Sequence, residues 1–136
     1  EHFRILHSRD MRSANLRFML MAWCTSKRCH NCTFPSCKFG CRDEVDSMTH
    51  YIECSALWSL IACIFPCFAP FFDFAPLVGL CPPSVDQMLG VCLATRLYAS
   101  VQVFDHRASR DFLIAECKRL LLSDQIFAQR RRVHFG

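Results

Sequence analysis

Three thiols and one imidazole stand at ligand spacing in this chain. They fall in Cys37-Lys-Phe-Gly-Cys41, then eight intervening residues, then His50-Tyr-Ile-Glu-Cys54. Two close cysteines on a turn supply one half of a tetrahedral site, and Gly40 permits the positive backbone angle such a turn often needs. His50 and Cys54 are four apart, which on a helix places both on one face, one turn apart and aimed at the same point. Three thiolates and an imidazole suit Zn2+, and a closed shell of four protein ligands implies a structural role. Structural zinc of this kind contributes about 10–16 kcal/mol to folding, comparable to the roughly 5–15 kcal/mol net stability of a whole domain.

A rival first half exists. Cys29-His-Asn-Cys32 also has ligand spacing, with His50 and Cys54 as its second half, and His30 is a further candidate. Gly40 favours Cys37 and Cys41, but spacing alone leaves Cys29, His30 and Cys32 open. Other chemistries find no support. No Ser/His/Asp or Cys/His arrangement stands out, and with four glycines the chain has no Gly-rich phosphate loop. Asp43, Glu44 and Asp46 lie close together and read as acidic residues at the positive end of a following helix. The expectation is a non-catalytic protein.

The elements that must position these residues are helical. Residues 10–23 have helical spacing at Met11, Ala14, Phe18 and Met21, with Arg9, Arg12 and Arg17 among them. Residues 24–45 lack apolar periodicity and read as a loop that a metal would organise. A helix should start at Asp46 or Ser47, run through His50, Tyr51, Cys54, Leu57, Trp58 and Ile61, and stop before Pro66. Residues 57–72 are the most apolar stretch, but they fall short of about 20 residues and Pro66 and Pro70 interrupt them, so a buried helix is preferred over a membrane span. Five of the six prolines lie in 65–83, which makes that segment a connector. Ser84-Val85-Asp86-Gln87 then forms a capping box that opens a helix bearing Val85, Leu89, Cys92, Leu97, Val101 and Phe104. A break near 106–109 precedes a last helix with Phe112, Leu113, Cys117, Leu120, Leu121 and Phe127, although one long helix fits the same pattern. The expected fold is mainly α: a small helical domain organised around a structural zinc knuckle, with a C-terminal helical pair. Its parts are a basic helix plus zinc module over 1–64, the connector 65–83, and a helical region with a basic tail over 84–136.

Composition is consistent with this. The chain has 136 residues, 52% of them hydrophobic and 21% charged, and is too apolar to be disordered. Its net charge of +4 permits contact with nucleic acid without arguing for it. Eleven cysteines suggest either disulfides or metal. The odd count, the lack of a signal-peptide layout after Glu1 and the apolar surroundings of Cys63, Cys92 and Cys117 favour reduced thiols, hence an intracellular, unsecreted protein. A start at Glu1 rather than Met suggests a piece of something longer.

The run from Leu16 to Leu60 resembles the zinc-binding region that follows the polymerase domain in reverse transcriptases of LINE-type (non-LTR) retrotransposons. The matched features are a helix ending in Trp23, Thr25-Ser26-x-Arg28-x-His30, Cys37-x-Phe39-Gly40-Cys41, Asp46-Ser47 and His50-Tyr51-x-x-Cys54. The resemblance maps the family's ligands onto Cys37, Cys41, His50 and Cys54 and leaves Cys29 out. It implies RNA or DNA as a partner, the rest of a larger polymerase polyprotein as context, and nucleic-acid contacts through Arg9, Arg12, Arg17, Lys27, Arg28 and Lys38. The paired aspartates of the polymerase site are missing, since no Asp-Asp occurs. Lys118 is the only lysine after Lys38, in an apolar helical run, so no nuclease site is expected either. The competing reading is a zinc-stabilised helical protein-interaction module without a nucleic-acid role, motivated by low net charge and the cluster Phe68, Phe71, Phe72 and Phe74.

Overall fold

The structure, a computed structural model, describes residues 22–29, 35–64 and 85–123. Within them the protein is mainly helical: α1 (Ser26–Cys29), α2 (Met48–Ile52), α3 (Ser55–Ile64), α4 (Val85–Val101) and α5 (Arg110–Ser123). The extended backbone among the described residues is an antiparallel bridge between Ser36 and Val45.

The long helix α4 forms the centre. Leu89, Cys92, Leu93, Leu97 and Val101 recur at helical spacing and are fully buried, and Val91, Ala94 and Tyr98 widen the buried arc beyond one stripe. The helix can be this apolar because α3 and α5 both pack on it. α3 contributes Leu57, Trp58, Leu60 and Ile61, and α5 contributes the narrow i, i+4, i+7 stripe of Leu113, Cys117 and Leu120. One hydrophobic cluster runs from Trp23 to Leu120 and draws on both sides of the 65–83 segment.

The C-terminal helices are a pair. α4 ends where the Gln102 amide donates to the Tyr98 carbonyl at 2.8 Å and the Phe104 amide tightens onto Val101 at 3.0 Å. Ser109 then caps α5, its hydroxyl accepting from the Phe112 amide at 3.2 Å. Across the pair, the Ser100 hydroxyl donates to Glu116 at 3.0 Å, while Arg119 grips the same carboxylate from within α5. Arg119 holds the Glu116 carboxyl below its ordinary range.

The single helix expected from Asp46–Ser47 through Ile61 is instead two. Ser47 is the N-cap, its hydroxyl accepting from the His50 amide at 3.2 Å. After Ile52 the ladder breaks: the Glu53 amide turns back to the His50 carbonyl at 2.9 Å, and Cys54 opens α3 by accepting the Trp58 amide at 3.1 Å. The physical reason is Trp58. Its buried indole N–H needs an acceptor and takes the Tyr51 and Ile52 carbonyls, at 2.8 and 3.1 Å. Those are the terminal carbonyls that an ended helix leaves unserved.

Smaller differences occur elsewhere. The expected loop over 24–45 contains the single turn α1. The expected helix over 10–23 lies outside the described residues except for Ala22 and Trp23, which are not helical. Ser84 of the capping box, the connector 65–83, the Phe68–Phe74 cluster and the chain beyond Ser123 also lie outside them. Among the described residues no helix is long and apolar enough to cross a membrane.

Replacing Leu97 by Ala should lower stability by about 2–5 kcal/mol, because the side chain is fully buried and its loss opens a void in the core. Trp58→Phe should cost about 1–3 kcal/mol by leaving the Tyr51 and Ile52 carbonyls without their donor. Urea unfolding at fixed metal concentration, with the slope unchanged, would measure both.

Candidate metal centre

The first half of the site is a closed loop between Pro35 and Asp46. The Cys37 amide donates to the Glu44 carbonyl at 2.9 Å beside the Ser36–Val45 bridge. Inside it, the Gly40 amide donates to the Cys37 carbonyl at 3.3 Å. Gly40 takes the positive angle its spacing suggested, with φ of 98°, and Asp43 a second, with φ of 58°. A Cβ at Gly40 would meet its nearest neighbour, Arg107 Cδ, at 3.8 Å. Backbone conformation, not crowding, is therefore what requires glycine there.

The second half rests on the break between α2 and α3. His50 lies in the last turn of α2 and Cys54 at the start of α3, so the two ligands converge across a kink rather than along one helical face. This corrects the i, i+4 argument while keeping its outcome. One ligand atom from each of Cys37, Cys41, His50 and Cys54 lies within 4.8 Å of all the others. Cys54 Sγ is 3.5 Å from Cys41 Sγ and 3.8 Å from Cys37 Sγ. All three are free thiols.

The electrostatics of the quartet suit a cation. Accepting from the Cys54 thiol holds the Cys37 thiol far below its ordinary range, at about 5. The same contact, together with burial, pushes Cys54 up. Burial also pushes Cys41 up. Negative charge is therefore favoured on Cys37 over its two neighbours. His50 adds a second indication. Its Nε2 is buried without a hydrogen-bond partner, whereas Nδ1 lies 3.5 Å from Glu44. A buried ring nitrogen with no partner is costly, and a metal beside the sulfurs would satisfy it. The residues therefore fit a thiophilic divalent ion, and the cluster is able to hold a metal. Cys41 and His50 line a concavity of about 620 Å³, shared with Lys27, Arg42, Glu44 and Glu53.

Not every expected residue behaves as its sequence suggests. Lys38, expected to touch nucleic acid, is fully buried, and its Nζ donates to the Phe104 carbonyl at 2.5 Å. Its own carbonyl accepts from the Ala108 amide at 2.9 Å. Lys38 is a tether between the metal loop and the α4–α5 connection, because its stem can be buried only where its head finds an acceptor. Lys27 and Arg28 are exposed on α1. Arg9, Arg12, Arg17, His30 and Cys32 lie outside the described residues, as does the Cys29 side chain.

Sequence reasoning missed a buried network behind the site. Asp46 is fully buried and accepts from the hydroxyls of Tyr51 and Tyr98, the latter at 2.9 and 3.2 Å. Tyr51 Oη in turn accepts from the Lys38 amide at 3.1 Å. Burial and the neighbouring Asp46 push the Tyr51 phenol well above its usual range, so it remains a donor. Trp23 stacks on Tyr98 with ring centroids 4.9 Å apart, and Phe39 meets Tyr51 edge-on at 5.6 Å. The available signal was Asp46 beside a better cap, Ser47: two adjacent capping residues leave one for another task.

Comparison with protein-family models, curated proteins and solved structures returned no match.

Single replacement of Cys37, Cys41 or Cys54 by Ser, or of His50 by Ala, should reduce bound metal well below about one ion per chain, whereas Cys32→Ser should leave it unchanged. Metal analysis of the reduced, gel-filtered protein checks this, and loss with Cys32 but not Cys37 would replace the ligand set. Affinity should also fall with pH. The raised Cys41 and Cys54 thiols carry protons at neutral pH that the metal must displace, so acid favours the metal-free form. Proton release measured on loading, in buffers of different ionisation heat, tests the sign.

Proposed function

We propose that the quartet is a structural zinc site and that the chain is a non-catalytic zinc-binding region of the kind that follows the polymerase domain in LINE-type reverse transcriptases, assisting contact with RNA or DNA. The observation that carries the zinc reading is the convergence of three sulfurs and one imidazole nitrogen within 4.8 Å, on a ring whose buried Nε2 has no hydrogen-bond partner. Three thiolates with one imidazole are a preferred zinc shell, and four protein ligands leave no position for a substrate. The reverse-transcriptase reading is supported by the resemblance alone. The residues that carry it have physical tasks here: Gly40 turns the loop, Phe39 packs on Tyr51, Asp46 gathers two phenols and Ser47 caps α2. Any knuckle of this design would keep them.

The nucleic-acid role falls to exposed cations. Lys27 and Arg28 adjoin each other on α1, and Arg42 is exposed in the metal loop, lining the same concavity as Lys27. Phosphate contacts of this kind release counterions and weaken steeply with salt.

The zinc-loaded chain should bind single-stranded RNA or duplex DNA with an affinity that falls linearly with salt on logarithmic axes. The double variant Lys27→Ala, Arg28→Ala should reduce that slope by about two. Fluorescence anisotropy across a salt series measures it. Full zinc loading with no binding to either nucleic acid at low salt would sink the nucleic-acid half and leave the protein-interaction module as the better description.

A further inference from the structure

We propose that Glu44 is the outer carboxylate of the metal centre, a positioning residue that fixes the orientation and tautomer of His50 and locks the two halves of the ligand set together. The proposal rests on the metal reading above. Two independent contacts carry it. The Glu44 carbonyl accepts the amide of Cys37, at 2.9 Å, which ties the residue to the first half of the site. Its side-chain Oε2 lies 3.5 Å from His50 Nδ1, which ties it to the second half. Glu44 therefore adjoins a ligand on each side, once through the main chain and once through the carboxylate.

The consequence follows from imidazole chemistry. A neutral imidazole carries its proton on one nitrogen and offers a lone pair on the other. A carboxylate beside Nδ1 favours the proton there and leaves the lone pair on Nε2. Nε2 is the buried nitrogen that lacks a hydrogen-bond partner. Nε2 would then be the nitrogen free to ligate, with the carboxylate beside Nδ1 holding the ring in that orientation. The 3.5 Å separation is longer than a hydrogen bond, so the half-exposed Glu44 side chain has to close on Nδ1 for one to form.

Glu53 supplies the control. It is exposed, carries the same charge, and lines the same concavity as Cys41 and His50. General attraction between acidic side chains and a cation would make Glu44 and Glu53 equivalent. A positioning role makes them unequal.

The test uses the full reduced chain and Zn2+ itself, with affinity measured by competition against a chromophoric chelator. Glu44→Ala should weaken binding by about 10–100-fold, Glu44→Gln should weaken it less because its amide oxygen still accepts from Nδ1–H, and Glu53→Ala should stay near the unaltered protein. Long-range 15N–1H correlation of the His50 ring supplies a readout that a merely structural role would not move. The unaltered, loaded protein should show a proton on Nδ1, and Glu44→Ala should show an altered tautomer balance in the metal-free state. Equal affinities for Glu44→Ala and the unaltered protein, or equal losses for Glu44→Ala and Glu53→Ala, would overturn the proposal while leaving the zinc site standing. Failure of the unaltered chain to take up Zn2+ would instead bring down the metal reading and the proposal with it.

Discussion

A carboxylate withdrawn from water has to be met by donors, and the placement of Asp46 organises the fold around that requirement. Its oxygens gather the hydroxyl of Tyr51 from α2 and that of Tyr98 from α4. Those residues belong to separate parts of the chain, 52 positions apart in the case of Asp46 and Tyr98. Trp23 and Phe39 complete an aromatic wall around the same phenols. Polar satisfaction and apolar burial therefore reinforce one another at one place, and the metal loop, α2 and α4 are held in mutual register.

The candidate metal centre inherits its geometry from this arrangement. Tyr51 receives the Lys38 amide on its hydroxyl oxygen and gives up its carbonyl to the Trp58 indole. The first contact positions the turn between Cys37 and Cys41. The second stabilises the break that sends Cys54 back toward His50. One buried tyrosine thus communicates with both pairs of ligands without being a ligand. The clustering of three sulfurs, which repel when ionised, is sustained by this framework and by the contact between Cys54 and Cys37.

The quartet was legible in the sequence because metal ligation depends on residue type and spacing, and Gly40 announces its turn. The boundary between α4 and α5 was only half legible: a break near 106–109 and one long helix fitted the same apolar pattern, and the Ser109 cap that separates them carries no periodic signal. The kink at Glu53–Cys54 was not legible, because nothing local forbids helix there; it depends on an indole one turn later seeking carbonyls. The burial of Lys38 was not legible either. A lysine between two cysteines reads as a surface charge until its acceptor is known, and that acceptor, the Phe104 carbonyl, is 66 residues away. Asp46 misled for the opposite reason: a capping residue next to a helix start has a sufficient local explanation, and its long-range partners add no further mark to the sequence.

Lys38 also bears on the order in which the protein can mature on the ribosome. Synthesis runs from the N-terminus, so all four ligands are made before α4 begins. An ion can be captured by the nascent knuckle while the acceptors for the Lys38 ammonium and for its carbonyl do not yet exist. During that interval the lysine head must remain hydrated, and the loop that carries Cys37 and Cys41 stays unsealed on its inner side. Closure comes only when residues 104–108 emerge, so any ion taken up earlier would sit in a loop not yet locked from within.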